Sequence, residues 1–366
     1  MKKFFAVFLT LVLLVGALAG CNQGTQPTTT QGASQQPETT MAPQNPSAEA
    51  FNVDVFIYNF SDTYIGTVRD SIESQLKGLN VNYTFHDAAN MQDTQNSQID
   101  TAIAKGTNLL VVNIVETGSG EVVVNKAKDA GIPIIFFNRE VADDVIKAYD
   151  KAVFVGTDPD QAGYMQGELV ANILLAEGAW DKADLNKDGK ISYIMLRADL
   201  DNPEANGRTK YSVEEANRLL KAAGKPELVQ IGSDVNASWA IDKAKEATDS
   251  FLSSNPFTGD NPIELVFANN DDMALGAIQS LNALDYNKGQ DPRIIVVGVD
   301  ATETAQDAIL SGKMDGSVKQ DAVAMATCIT KLVENTTAQK GFIEGTDYKY
   351  EGETSKIRIP YSVFTK

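Results

Sequence analysis

The chain has 366 residues, 43% of them hydrophobic, which is enough for two domains of ordinary size with real cores. Its formal net charge of -18 excludes a nucleic-acid binder, because phosphate backbones demand clustered Lys and Arg. The balance suits an extracytoplasmic protein that tolerates calcium.

Lys2 and Lys3 precede the apolar run FFAVFLTLVLLVGALAG, which ends in Leu18-Ala19-Gly20-Cys21. A positive start, an apolar stretch and small residues make residues 1–20 a signal peptide. Small residues just before a cysteine resemble the lipobox of bacterial lipoproteins, in which Cys21 is acylated and becomes the mature N-terminus, an anchor to the membrane rather than a span. An ordinary secretory cleavage nearby is the alternative. If Cys21 carries lipid, Cys328 has no disulfide partner. Its helical spacing with Val323 and Leu332 reads as a buried small hydrophobe. Residues 21–50 are rich in Gln, Thr and Pro and read as a disordered tether that holds a globule off the membrane.

From Phe51 short β-rich runs alternate with amphipathic helical stretches. The first half gives VDVFIYNF, VNYTFHD, NLLVVNIV, IPIIFFN and KAVFVGTD, with helices such as TYIGTVRDSIESQLKGL and SQIDTAIAKG between them. The second half gives ISYIMLRAD, ELVQIGSD, IELVFANND, RIIVVGVDA and DGSVKQD. Apolar strands separated by helices predict parallel sheets covered on both faces. Two such series predict two doubly wound α/β domains. Polar residues collect at the strand ends: Asp62 after the first, Asn138 ending FFN, Asn270 and Asp271 ending FANND, Asp300 ending VGVD. Each could simply cap the helix that follows. Four strands ending alike are more economically one polar cleft beyond the carboxyl ends of the sheets.

The stretch DLNKDGKISYIM, Asp184 to Met195, begins as an EF-hand calcium loop does. Asp184, Asn186 and Asp188 take the first three ligand positions, Gly189 the sharp turn, the Lys190 carbonyl and Ser192 the next two. Where a bidentate glutamate should close the site stands Met195. The loop is therefore either a turn decorated with solvated acids or a site whose last carboxylate comes from elsewhere.

FFNRE, YDKAVFVGTD, DLNKDGKI, IELVFANNDDMALGA and VVGVDATETA, in that order and spacing, resemble the periplasmic glucose/galactose-binding proteins of sugar ABC transporters, over residues 53 to 363. The resemblance implies the periplasmic binding protein type I fold: two doubly wound parallel-sheet α/β domains joined by a three-segment hinge. It places residues 51–157 with 320–358 in an N-terminal domain, and 158–319 with 359–366 in a C-terminal domain that carries the calcium loop. The crossings fall near Thr157–Asp158, near Gln320 and near Arg358–Pro360. It also implies that Glu264, on a distant strand, supplies the bidentate pair. The implied ligands of a structural Ca2+ are Asp184, Asn186, Asp188, Lys190, Ser192 and Glu264. Glutamine is usual where Ser192 stands, so either a water bridges there or the site is weaker. A dockerin also uses DLNKDGKI, but it carries two such loops close together.

The sugar site implied by the same match is Asp62, Tyr64, Asn138, Asn202, Glu204, Arg208, Trp239, Asn270, Asp300 and Gln320. The chemistry is sensible on its own terms. A pyranose has two fairly apolar faces and a rim of hydroxyls; Tyr64 and Trp239 would stack on the faces, while amides, carboxylates and the Arg208 fork meet the rim. Trp239 could instead only pack on the core. Asn202, Glu204 and Gln320 depart from the family's usual histidine, aspartate and asparagine, which opens the choice among glucose, galactose and another aldose.

The expected function is capture of D-galactose, D-glucose or a methyl-galactoside by hinge closure, with delivery to an ABC transporter permease. A pentose ligand, or sensing through a membrane receptor, is the alternative. The chain is expected to be a monomer and not an enzyme. A glycosidase needs two carboxylates at a set separation, whereas here acids are interleaved with amides and Arg208. The single histidine, His86, reads as an edge residue and excludes a multi-histidine zinc site. No phosphate loop is present. A repressor of the same fold would need a basic helix-turn-helix where the acidic tether stands.

Overall fold

Six runs are buried at every residue: Leu109–Val112, Ile134–Phe137, Ala152–Gly156, Ser192–Arg197, Leu265–Ala268 and Ile295–Asp300. Strands this apolar need cover on both faces, and the fold provides it. The structure, a computed structural model, describes residues 51–366, so the signal peptide, Cys21 and the tether lie outside the described residues. Two sheets form. The first runs Lys356–Arg358, Ala152–Gly156, Ile134–Phe137, Leu109–Val112, Phe51–Ile57, Val81–Asp87, all parallel. The second runs Ser362–Phe364, Gly316–Lys319, Ile295–Asp300, Leu265–Ala268, Ser192–Arg197, Val229–Gln230. It is parallel except for Ser362–Phe364, which pairs antiparallel with Gly316–Lys319.

The pleat divides each strand between two cores. Leu109 and Val111 pack with the helices Thr63–Leu76 and Ala322–Thr337, through Val68, Ile72, Ile329 and Leu332. Leu110 and Val112 face the other way, onto Ile99, Val123 and Val124 of the helices Gln92–Ala104 and Gly120–Ala130. In the second lobe Ile194 and Leu196 face one core, Tyr193 and Met195 the other. Each fully buried Phe or Leu contributes about 1.5–3 kcal/mol. Cys328 belongs to the first core, and burial pushes its thiol up to about 12. ELVQIGSD shortens to Val229–Gln230, and a separate pair, Val235–Asn236, directly follows it. The segment lies at the sheet edge, and Gly232 at φ +68 turns the chain out of extended geometry.

Two features aim the site. In each sheet the strand order reverses, between Phe51–Ile57 and Leu109–Val112 in one and between Ser192–Arg197 and Leu265–Ala268 in the other. The helices that follow adjacent strands there go to opposite faces and leave a crevice at the carboxyl ends. The second feature is backbone contact between helices Pro159–Leu175 and Pro203–Ala222. A Cβ on Gly163 would stand 2.5 Å from the Gly207 carbonyl oxygen, and one on Gly207 would stand 2.7 Å from the Pro159 carbonyl. Only glycine permits that approach.

The chain passes between the sheets three times: between Gly156 and Pro159, between Lys319 and Ala322, and between Arg358 and Ser362. Arg358 donates to Glu140 at 2.5 Å and to the Thr157 carbonyl at 2.6 Å, and the Thr157 and Tyr361 hydroxyls lie 2.8 Å apart. Two crossings are thus bonded side by side.

Candidate functional site

Asp62 caps the helix Thr63–Leu76: its Oδ1 accepts from the Ile65 N–H at 2.7 Å. Its Oδ2 accepts from the Tyr58 hydroxyl at 2.5 Å. The Arg139 guanidinium lies 3.7 Å from the centre of the Tyr58 ring and donates to the Val115 carbonyl at 2.6 Å. Asn138 follows the strand Ile134–Phe137 at φ 61, a left-handed conformation asparagine tolerates, and its Oδ1 accepts from Asn113 at 3.2 Å. Tyr64 is held in the core, its hydroxyl 3.9 Å from the Met325 sulfur. These groups form the floor from the first lobe.

The second lobe closes over them. Asn202 and Asn270 cap the helices Pro203–Ala222 and Asp271–Ala283. Glu204 and Arg208, one turn apart on the first of these, are each 3% exposed. Arg208 donates to the Asn269 carbonyl at 2.8 Å, to Gln320 Oε1 at 2.9 Å and to the Tyr361 hydroxyl at 3.0 Å, with Asp300 Oδ1 at 4.0 Å. Burial alone would lower its pKa, but Tyr361, Asp300 and Glu204 raise it, so it stays charged. Burial pushes Asp300 well above the carboxylate range against the pull of Arg208. Trp239 sits at φ 62; its carbonyl accepts from Asn270 at 3.3 Å and its ring lies 5.7 Å from the Arg208 guanidinium carbon.

All ten residues expected at a ligand site line one small cavity between the lobes. Three of them, Asp62, Asn202 and Asn270, are helix caps as well, so for the strand-end residues Asp62 and Asn270 the cap and cleft readings hold together. Asp271 behaves differently: it accepts from Ser317 at 2.6 Å and from the Thr302 N–H at 2.7 Å, and burial pushes its carboxyl to about 7. It ties strands within the second lobe and does not line the cavity. Tyr58, Ile65 and Arg139 line the cavity and were not anticipated. Arg139 sits next to Asn138 in FFNRE, which was the available signal. His86 lies on an edge strand, paired with Asp54 at 2.6 Å and stacked on Phe56, away from the cavity.

Among the described residues, eight buried side-chain atoms have no hydrogen-bond partner, and five belong to the cavity: both Glu204 oxygens, Arg208 Nε, Trp239 Nε1 and Gln320 Nε2. Buried polar atoms without partners are costly, at about 1–3 kcal/mol each. Their convergence on one small space means that a ligand offering both donors and acceptors completes the set. Glu204 shows the cost directly: burial raises its pKa to about 7, with Arg208 opposing. A raised carboxyl pKa favours the folded protein at low pH, and that contribution is lost as pH climbs from the ordinary value near 4.5 through about 7. Glu204→Gln should therefore stabilise the ligand-free protein by up to ~3 kcal/mol at pH 8 and hardly at all at pH 4.5. Melting temperatures of both forms across that range check this; a difference that does not grow with pH would mean Glu204 ionises freely.

A second constellation lies at the loop 184–190. Glu264 precedes the strand Leu265–Ala268, and its N–H donates to the Ser192 carbonyl at 3.0 Å. This pairing sets the Glu264 side chain on the loop. Its oxygens accept from the Leu185 N–H at 2.6 Å and the Ser192 N–H at 2.7 Å. Asp184, 5% exposed, accepts from the N–H groups of Asp188 and Gly189. Asp188 accepts from the Lys190 N–H at 2.8 Å, and Asn186 donates to the Asp260 carbonyl at 2.8 Å. The Ser192 hydroxyl donates to Asn261 at 3.0 Å, so the neighbouring segment 260–261 also faces the loop. Burial raises the Glu264 pKa, its two backbone hydrogen bonds lower it, and Asp184 and Asp188 raise it again. Among the described residues no three acidic, histidine or cysteine groups stand ready-made around a metal position; the loop carboxylates are turned to backbone N–H groups.

The sequence profile of the periplasmic binding protein domain matches residues 53–340. The chain is 34% identical over 310 residues to the D-galactose/methyl-galactoside binding periplasmic protein MglB of Haemophilus influenzae, covering 84% of this chain and 88% of that one. It is 29% identical over 323 residues to a putative rhizopine-binding protein of Rhizobium meliloti, covering 87% and 92%. A crystal structure of an ABC transporter solute binding protein from Bacillus halodurans with bound myo-inositol superposes with a TM-score of 0.67 at 26% identity, covering 86% of this chain and 94% of that one.

Proposed function

The chain belongs to the periplasmic binding protein domain family, and from that premise we propose that it is an extracytoplasmic substrate-binding protein that captures D-galactose, D-glucose or a methyl-galactoside by hinge closure and delivers it to an ABC transporter permease. The observation that carries this reading is the set of five unpartnered polar atoms around one interlobe cavity whose lining includes Trp239. Glu204 accepts from ligand hydroxyls, Arg208, Gln320 and Trp239 donate to ligand oxygens, and the Trp239 face covers an apolar ring face. The similarity to MglB supports a hexose of the galactose type. The matched family is one of solute-binding domains, and the cavity interleaves acids with amides and Arg208 in a pattern suited to holding hydroxyls, so the role is read as binding rather than catalysis.

Two further parts belong to this reading. Acylation of Cys21 anchors the protein at the membrane as a monomer. A structural Ca2+ is held by Asp184, Asn186, Asp188, the Lys190 carbonyl and Glu264; Ser192, whose hydroxyl is turned to Asn261, contributes least. Oxygen donors of this kind suit calcium, a hard cation. Its contribution is to fasten the loop to the strand beneath it.

The test is calorimetric titration of the full-length chain with D-galactose, D-glucose, D-ribose and myo-inositol, on wild type and Trp239→Ala. Wild type should bind a hexose best, and the variant should lose about 100-fold in affinity, since stacking and one donor are removed together. Binding of ribose alone would replace the hexose reading with a pentose one. An unaffected Trp239→Ala variant would show the indole to be only packed.

A further inference from the structure

The lobes also meet at two places outside the cavity. Thr63 Oγ1, in the first lobe, donates to Asp272 Oδ2 in the second at 2.8 Å. On the other flank Thr117 Oγ1 of the first lobe donates to the Asp201 carbonyl of the second at 3.1 Å. None of these four residues lines the cavity. Each pair is nonetheless welded to it by sequence: Thr63 stands between Asp62 and Tyr64, Asp272 stands two residues after Asn270, and Asp201 immediately precedes Asn202. Asp272 is 9% exposed, and among the described residues Thr63 is the one side chain hydrogen-bonded to its carboxylate. Burial raises the Asp272 pKa, the Thr63 hydroxyl opposes this, and Asp62 adds to it.

We propose that Thr63–Asp272 and Thr117–Asp201 form a clasp that sets how often the lobes are closed, and so scales the affinity for every ligand alike without reading which ligand is held. The inference rests on the cleft being the ligand site proposed above. A ligand that requires the closed form binds with an apparent affinity reduced by the fraction of molecules already closed. Closing an empty cleft strands the five unpartnered cavity atoms away from water, which opposes closure. The clasp works in the other direction, because opening breaks both bonds. Its partners are therefore positioning residues: they touch each other across the cleft and not the ligand.

The experiment compares wild type, Thr63→Val, Asp272→Ala, the double variant and Thr63→Ser, all as full-length chains. Calorimetry with the four-sugar panel gives affinities, and small-angle scattering without ligand gives the radius of gyration. Each single loss should weaken binding of every sugar that wild type binds by roughly tenfold, the worth of a hydrogen bond to a charged group. Affinity ratios between sugars should stay fixed, the double variant should bind no worse than the singles, and Thr63→Ser should bind as wild type. Unchanged affinity in Thr63→Val and Asp272→Ala would overturn the clasp, as would a loss confined to one sugar, which means direct contact with that ligand. If wild type binds none of the panel, the sugar reading fails by itself. The clasp is then decided by the ligand-free radius, which must be larger in Thr63→Val than in wild type.

Discussion

Replacing Arg208 by Met is expected to abolish sugar binding and to lower the unfolding free energy by about 3–5 kcal/mol, the usual cost of removing one partner from a buried charge cluster. Arg208 is 3% exposed and bonds four other segments of the chain. Gln320 and Tyr361 lie in two of the three crossings between the sheets, so the guanidinium joins the helix Pro203–Ala222 to the hinge. A methionine fills much of the space but leaves Asp300 buried without a cation. At low pH that carboxyl protonates, so the deficit should be smaller in acidic than in neutral solution. The direction follows from the site: burial already raises the Asp300 pKa, and Arg208 is the group that opposes it. Arg208→Lys keeps the charge but loses the planar fork that reaches Asn269, Gln320 and Tyr361 at once, and should fall between. Urea denaturation in acidic and in neutral solution and titration with galactose measure both effects. A Met variant that unfolds at the wild-type midpoint and still binds would show that this cluster does not organise the cleft.

The reach of the sequence can be judged from particular residues. Central strands such as IIFF and LVFA declare themselves because parallel strands buried on both faces must be apolar throughout. Asp62 and Asn270 were legible because one polar residue at a strand end both caps a helix and faces the crevice, whereas Asn202, also a cap, came only from the family resemblance. Edge elements were less legible. ELVQIGSD has strand composition, yet its middle leaves the sheet at Gly232, and nothing in YSVFTK announces an antiparallel pairing. Tyr58 and Arg139 escaped for another reason. Tyr58 reads as one more aromatic at the end of a strand, and Arg139 as a solvated charge after FFN; only the three-dimensional stack of one on the other turns both toward the cavity. The segment 260–261 lies about seventy residues from the loop it faces, and short-range pattern carries no trace of that meeting.

Glu264→Gln should lower the melting temperature in calcium and erase most of the protein's response to chelator. The wild-type carboxylate is placed by two backbone hydrogen bonds, from Leu185 and Ser192, which draw the loop and the strand Leu265–Ala268 together. Glutamine keeps one acceptor oxygen, so part of that fastening survives without metal. What it cannot supply is a charged pair of oxygens for a hard cation. Binding to the folded state alone adds about 2.7 kcal/mol when free calcium is a hundred times its dissociation constant, which corresponds to roughly 4 °C for a protein of this size. The expected pattern is thus a wild type that melts lower after chelation, beside a variant that melts low in both conditions. Differential scanning calorimetry of the four combinations separates the two roles of Glu264: the variant's deficit in chelator measures the hydrogen bonds, and the extra deficit in calcium measures the metal. Equal chelator responses in the two proteins would leave Glu264 a purely structural staple, and the loop from Asp184 to Ser192 would then be a turn with solvated acids and no bound ion.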